Sequence, residues 1–149
     1  MVSTASTSKL QPEYAKYLAD IEADAFIFDA FSNPSAEIIH ENFDTFVDII
    51  RAAHPETPLI FMQTERRESR NFDTWREEFE AVKQAAAVKE IKERMKIDKH
   101  IYFIPSDDFL GHDHIATSDG SHPTDLGFTR MLDSITPKIL KILRKYGIR

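Results

Sequence analysis

Three short apolar runs, each flanked by amphipathic stretches, constrain this chain more than any other feature. Ala25-Phe26-Ile27-Phe28, Leu59-Ile60-Phe61-Met62 and Ile101-Tyr102-Phe103-Ile104 are too short for helices and carry no charged residue. Such runs read as strands buried on both faces, because a strand with one wet face alternates apolar and polar residues. Around them, apolar residues recur at helical spacing. Tyr14, Leu18 and Ile21 follow Pro12, and Ile39, Phe43, Phe46 and Ile50 follow Asn33-Pro34. Phe72, Trp75, Phe79 and Val82 open a helix expected to end near Lys96, with that face in the core. Phe128, Leu132, Ile135, Ile139 and Ile142 form the last helix, which Pro137 should kink or delay. The order α-β-α-β-α-β-α dictates an α/β fold: a parallel sheet with right-handed crossovers and helices on both faces, a three-layer α/β/α sandwich.

Composition narrows the function. The length of 149 residues suits one domain, expected over 10–149 behind a Ser/Thr-rich arm over 1–9. A net charge of −6 argues against non-specific nucleic-acid binding and against docking on anionic membranes. No apolar run approaches the roughly 18 residues of a membrane span, and the first residues show no signal peptide. The absence of cysteine removes disulfides, thiolate zinc sites and cysteine nucleophiles. It suits the cytoplasm, although a secreted chain cut from its signal would look the same. Gly111, Gly120, Gly127 and Gly147 form neither a dinucleotide fingerprint nor a P-loop.

In open α/β sheets, ligands bind beyond the carboxyl ends of the strands. There this sequence gathers Asp29, Ser32 and Asn33, then Gln63 to Arg67, then Ser106 to His122. Within Asp119-Gly120-Ser121-His122-Pro123-Thr124-Asp125-Leu126-Gly127, a carboxylate three residues from a histidine can bond its Nδ1–H and leave Nε2 as a base. The same spacing also fits a capped turn with an exposed histidine and Thr124 as a helix cap. Asn33 before Pro34 fits a helix N-cap, and its amide could equally donate into an oxyanion hole. His112-Asp113-His114 is a weak metal pattern without a third fixed ligand, and no metal site is expected. Arg66, Arg67 and Arg70 are candidates for holding an anionic substrate, Arg66 and Arg67 foremost, against the alternative of a solvated mixed-charge loop.

Together, the strand ending at Asp29, Asn33 four residues later, and Asp119-x-x-His122 before the last helix resemble the SGNH (GDSL-like) hydrolases. Residues 119–128, Asp-Gly-Ser-His-Pro-Thr-Asp-Leu-Gly-Phe, resemble the final block of their bacterial acylhydrolase branch. The resemblance runs from about Leu10 to the C-terminus, roughly the second half of that family's domain. It implies a flavodoxin-like sheet and a serine esterase acting on carboxylic esters, often acyl groups on carbohydrates or lipids. It further implies His122 as general base, Asp119 as its orienter, Asn33 as oxyanion donor, and no cofactor.

That family's nucleophile sits in a Gly-Asp-Ser-like block after its first strand, and no such block is present here. Ser3, Ser6 and Ser8 have no strand ahead of them, and the family does not use the positions of Ser32 and Ser121. The expectation is a truncated or split esterase, or a non-catalytic remnant acting as a binding or oligomerisation module. If the first two strands are missing, the strand at 25–29 becomes an open apolar edge. That predicts a homo-oligomer or a complementing N-terminal half.

Overall fold

The computed structural model describes residues 8–107 and 109–148, so the expected arm lies outside the described residues up to residue 7. The elements in order are α1 (Pro12–Ala19), β1 (Phe26–Phe28), α2 (Ala36–Ala53), β2 (Leu59–Met62), a 3-10 turn (Glu68–Phe72), α3 (Thr74–Met95), β3 (Ile101–Ile104), α4 (Asp125–Leu143) and a second 3-10 turn (Arg144–Tyr146). The strands pair in parallel in the order β1-β2-β3, with Phe28 opposite Phe61 and Phe61 opposite Phe103.

The strand pleat sorts side chains between two cores. Phe26, Phe28, Leu59, Phe61 and Ile101 face one side, where they meet Ala15 of α1, Ile39, Phe43, Phe46 and Ile50 of α2, and Ala87 and Ile91 of α3. Phe28 stacks on Phe61 at 4.6 Å between ring centroids, and Phe43 meets Phe61 edge-on at 5.2 Å. Each such fully buried ring contributes about 1.5–3 kcal/mol over an exposed one. Ile60 and Ile104 face the other side, packing with Ile135, Met131 and Ile139 of α4 and with Phe109 and Leu110. The result is the three-layer parallel α/β/α arrangement.

Several local readings change. Helix α2 begins at Ala36, and Ser35 is its N-cap, accepting the Ile38 N–H at 3.4 Å. Asn33 therefore does not cap the helix. The Phe72-Trp75-Phe79-Val82 face is not core: Phe72 is 92% and Trp75 68% exposed, and Phe72 belongs to the 3-10 turn. The buried face of α3 is Glu80, Lys83, Ala86, Ala87 and Ile91. Helical spacing shows that residues share a face, but not which face the rest of the chain covers. Helix α4 runs through Pro137 from Asp125, so Pro137 does not mark a late start. At its first two turns Phe128 and Leu132 are exposed, outside the core they were expected to join.

Among the described residues, β1 has no strand on its outer side. Ile27, its middle residue, is 47% exposed rather than buried, because α4 does not reach it. No helix of the described residues is long and apolar enough to cross a membrane.

Candidate active site

The turn before α4 is built by local hydrogen bonds. Thr124 caps the helix, its hydroxyl accepting the Gly127 N–H at 3.3 Å, while its own N–H donates to the Ala116 carbonyl at 2.9 Å. The Ser118 N–H closes the turn on the His122 carbonyl at 2.9 Å. Asp119 Oδ1 accepts the backbone N–H groups of Ser121 at 2.9 Å and His122 at 2.8 Å. That fixes the carboxylate so that Oδ2 lies 2.7 Å from His122 Nδ1. The His122 N–H, the imidazole and the Ser121 N–H, in that order, hold the Asp119 carboxyl well below the usual carboxylate range. The His122 side chain is 81% exposed, and Nε2 has no hydrogen-bond partner among the described residues. The spacing thus supports both of its readings: a capped turn and an oriented Asp–His pair.

The loop after β1 lies at the same edge. Ser32 Oγ donates to Asp29 Oδ1 at 3.3 Å, and Asn33 is exposed. The Ser32 carbonyl accepts Lys83 Nζ at 3.1 Å and Arg67 Nη2 at 3.3 Å. Arg67 also pairs with Glu80 at 3.1 Å and approaches Glu65 at 3.7 Å, while Lys83 pairs with Glu80 at 2.8 Å. Burial pushes the carboxyls of Asp29 and Glu65 up, with the Arg67 charge opposing it, and burial pulls the Lys83 ammonium down.

The 3-10 turn joins the two loops. The Ser69 N–H donates to the Gly120 carbonyl at 2.8 Å, and Glu68 accepts the Thr117 hydroxyl at 2.6 Å. Arg70 is buried, held by Glu77 at 2.7 and 2.9 Å and by Gln84 at 2.9 Å. The 65–70 segment is therefore not a solvated charged loop. Arg67 points into it and is occupied by Glu80, Glu65 and Ser32, which sets it apart from its expected contact with substrate. Arg66 remains exposed, 4.0 Å from Glu77, and borders an open hollow of about 190 Å³ with Asn71, Asp107 and His112.

The His112-Asp113-His114 trio is divided among other partners. Asp113 forms a two-pronged pair with Arg130 at 2.6 Å on each oxygen, and His114 Nδ1 lies 3.2 Å from Glu68. No group of three or more metal-ligating side chains gathers among the described residues. Ser69, Glu80 and Lys83 were missed by sequence reasoning. Glu80 and Lys83 share a helical face with Ala87 and Ile91, and charges on an apolar face were the available signal.

The parallel sheet with helices on both faces defines a three-layer α/β/α protein. More particularly, the chain belongs to the GDSL-like Lipase/Acylhydrolase family, whose model matches residues 2–140. It is 44% identical to a Bacteroides ovatus protein assigned to the GDSL-like lipases, with a TM-score of 0.89 over 93% of this chain and 42% of that one. A salicylyl-acyltransferase from a tetracycline biosynthetic pathway is 19% identical, with a TM-score of 0.73 over 91% of this chain and 42% of that one. A carbohydrate esterase of family 3 from Talaromyces cellulolyticus is 14% identical, with a TM-score of 0.66 over 94% of this chain and 68% of that one. The last two share the fold. The chain spans less than half the length of the first two. No curated protein matches it.

Proposed function

We propose that this chain carries the base and oxyanion side of a serine ester hydrolase that cleaves carboxylic esters. The observation that supports this best is the 2.7 Å bond between Asp119 and His122 at the carboxyl edge of the sheet. In this reading His122 Nε2 takes the proton from a serine hydroxyl as the oxygen attacks the acyl carbon. Asp119 holds the ring in the tautomer that leaves Nε2 basic. The Asn33 side-chain amide donates to the oxyanion. His122 then gives its proton to the leaving alcohol, and water repeats the sequence to release the acid. Arg66 and the polar hollow beside it suit a hydroxyl-bearing alcohol such as a sugar, and Arg67 supports the site from beneath. No cofactor or metal is needed.

These residues contain no Gly-Asp-Ser block. In this reading the serine comes from a segment that pairs along the open edge of β1, carried by the same polypeptide, a complementing N-terminal half or a second copy. The test is hydrolysis of p-nitrophenyl acetate by the chain alone and joined to N-terminal strands, each beside its His122→Ala variant. His122-dependent turnover supports the proposal; turnover untouched by the substitution in every competent assembly overturns it. Asp119→Asn should lower kcat by about 10⁴, as loss of the orienting carboxylate does in serine proteases.

A second reading is a binding or assembly module that keeps the fold without the chemistry. The open apolar edge around Ile27 favours it. A concentration-independent monomer in sedimentation would remove pairing between two copies from both readings.

A further inference from the structure

Two cations, Lys83 buried and Arg67 partly buried, converge on one backbone oxygen. The side chain of Lys83 is 3% exposed and that of Glu80 8%, and both sit on the inner face of α3. A pair this buried adds little net stability, because desolvation offsets most of the attraction. Its visible product is geometric. Glu80 holds Lys83 at 2.8 Å and Arg67 at 3.1 Å, and both cations then donate to the Ser32 carbonyl, at 3.1 and 3.3 Å. That carbonyl belongs to the Ser32–Asn33 peptide unit, which is planar and trans. Fixing its oxygen fixes the plane from which the Asn33 Cα departs. Charged donors on the oxygen also polarise the Asn33 N–H on the opposite side of the unit. Two residues beyond Arg67, Ser69 holds Gly120 and Ser121. One short segment therefore braces both loops of the site.

We infer that Lys83 and Arg67 are positioning residues that aim Asn33 through the Ser32 carbonyl, with Glu80 as the counter-ion that keeps both cations in place. The inference rests on the oxyanion role proposed for Asn33. Neither cation touches substrate. Lys83→Met keeps the length of the side chain and removes its charge and donors. Lys83→Arg keeps both.

The experiment is a double-mutant cycle in the complete polypeptide that hydrolyses p-nitrophenyl acetate, with the Asn33 amide followed by NMR in the same variants. Lys83→Met should lower kcat about tenfold or more with KM within about twofold, and Lys83→Arg should restore most of it. Lys83→Met combined with Asn33→Ala should be no slower than Asn33→Ala alone. The Asn33 amide proton should move upfield in Lys83→Met while the amides of β2 and β3 hold their positions. Losses that multiply, or an unmoved Asn33 amide, overturn the inference and leave the role of Asn33 standing. An Asn33→Ala variant with full kcat removes that role and the inference with it. If Lys83→Met does not fold, Arg67→Met is read in the same cycle, since it removes the other charge and its donor from the Ser32 carbonyl. A polypeptide without turnover is judged on the amide shift alone.

Discussion

Ser69 and Gly120 are joined backbone to backbone, the N–H of one donating to the carbonyl of the other at 2.8 Å. Beside them the hydroxyls of Ser69 and Ser121, 52 residues apart in sequence, meet at 3.2 Å. This join seats the turn that presents Asp119 and His122 on the 3-10 turn that follows β2.

Gly120→Ala tests that join. Gly120 has a φ of +81°, and an added Cβ would lie 3.0 Å from the Ser69 nitrogen and 3.2 Å from its Cα. Backbone cannot swing aside as a side chain can, and the left-handed conformation alone costs a non-glycine residue about 1–2 kcal/mol. Urea unfolding should show a loss of at least that size, with a shift in the His122 ring resonances. An unchanged midpoint would mean that the join does not exist in solution.

Gly127→Ala should have the opposite sign from the usual helix substitution. Alanine in a helix interior ordinarily gains about 1 kcal/mol over glycine. Here the new Cβ would fall 2.2 Å from the Ala116 carbonyl oxygen and 2.9 Å from Pro123 Cβ. Overpacking against backbone should cost about 1–3 kcal/mol. A thermal melt settles the sign.

The Asp113–Arg130 pair predicts a pH window. Hydrogen bonds from Arg130 bring the Asp113 carboxyl down from 3.8 to about 2. A depressed carboxylate stabilises the fold above its unfolded value, and that stabilisation fades as pH falls through the folded one. The urea midpoints of the chain and of Asp113→Asn should therefore differ by a constant amount above about pH 5 and draw together as pH falls through about 2 toward about 1. The gap should be small and salt-sensitive, because the pair is at the surface. A gap as large near pH 1 as at neutral pH would contradict the assignment.

Trp75 is the chain's one tryptophan and stacks on Phe79 at 5.4 Å while remaining largely exposed. The isolated chain should emit at water-like wavelengths and be quenched readily by acrylamide. Trp75→Ser should change stability by less than about 0.5 kcal/mol, as surface substitutions do. Blue-shifted, protected emission would show that this face is covered in solution.

Much of this was legible from local pattern. The three strands, the four helices and the Asp119–His122 pair depend on neighbours within a few residues, through pleat, helical period and capping. Asn33 was harder, because Asn33 before Pro34 and Ser35 after it both suit an N-cap, and only the structure gives the cap to Ser35. The faces of α3 and α4 were assigned to the core on periodicity alone, and Phe72, Trp75, Phe128 and Leu132 proved exposed.

The element order, the parallel sheet and the carboxylate–imidazole spacing of three residues could be read from the sequence alone. All are short-range consequences of chain geometry. Only the tertiary structure decided that Glu80 and Lys83 turn inward and that two cations meet on Ser32. It also decided that Ser69 reaches Gly120, and that Ile27 is left half exposed. Burial and long-range pairing depend on where distant elements come to rest, and no local spacing encodes that.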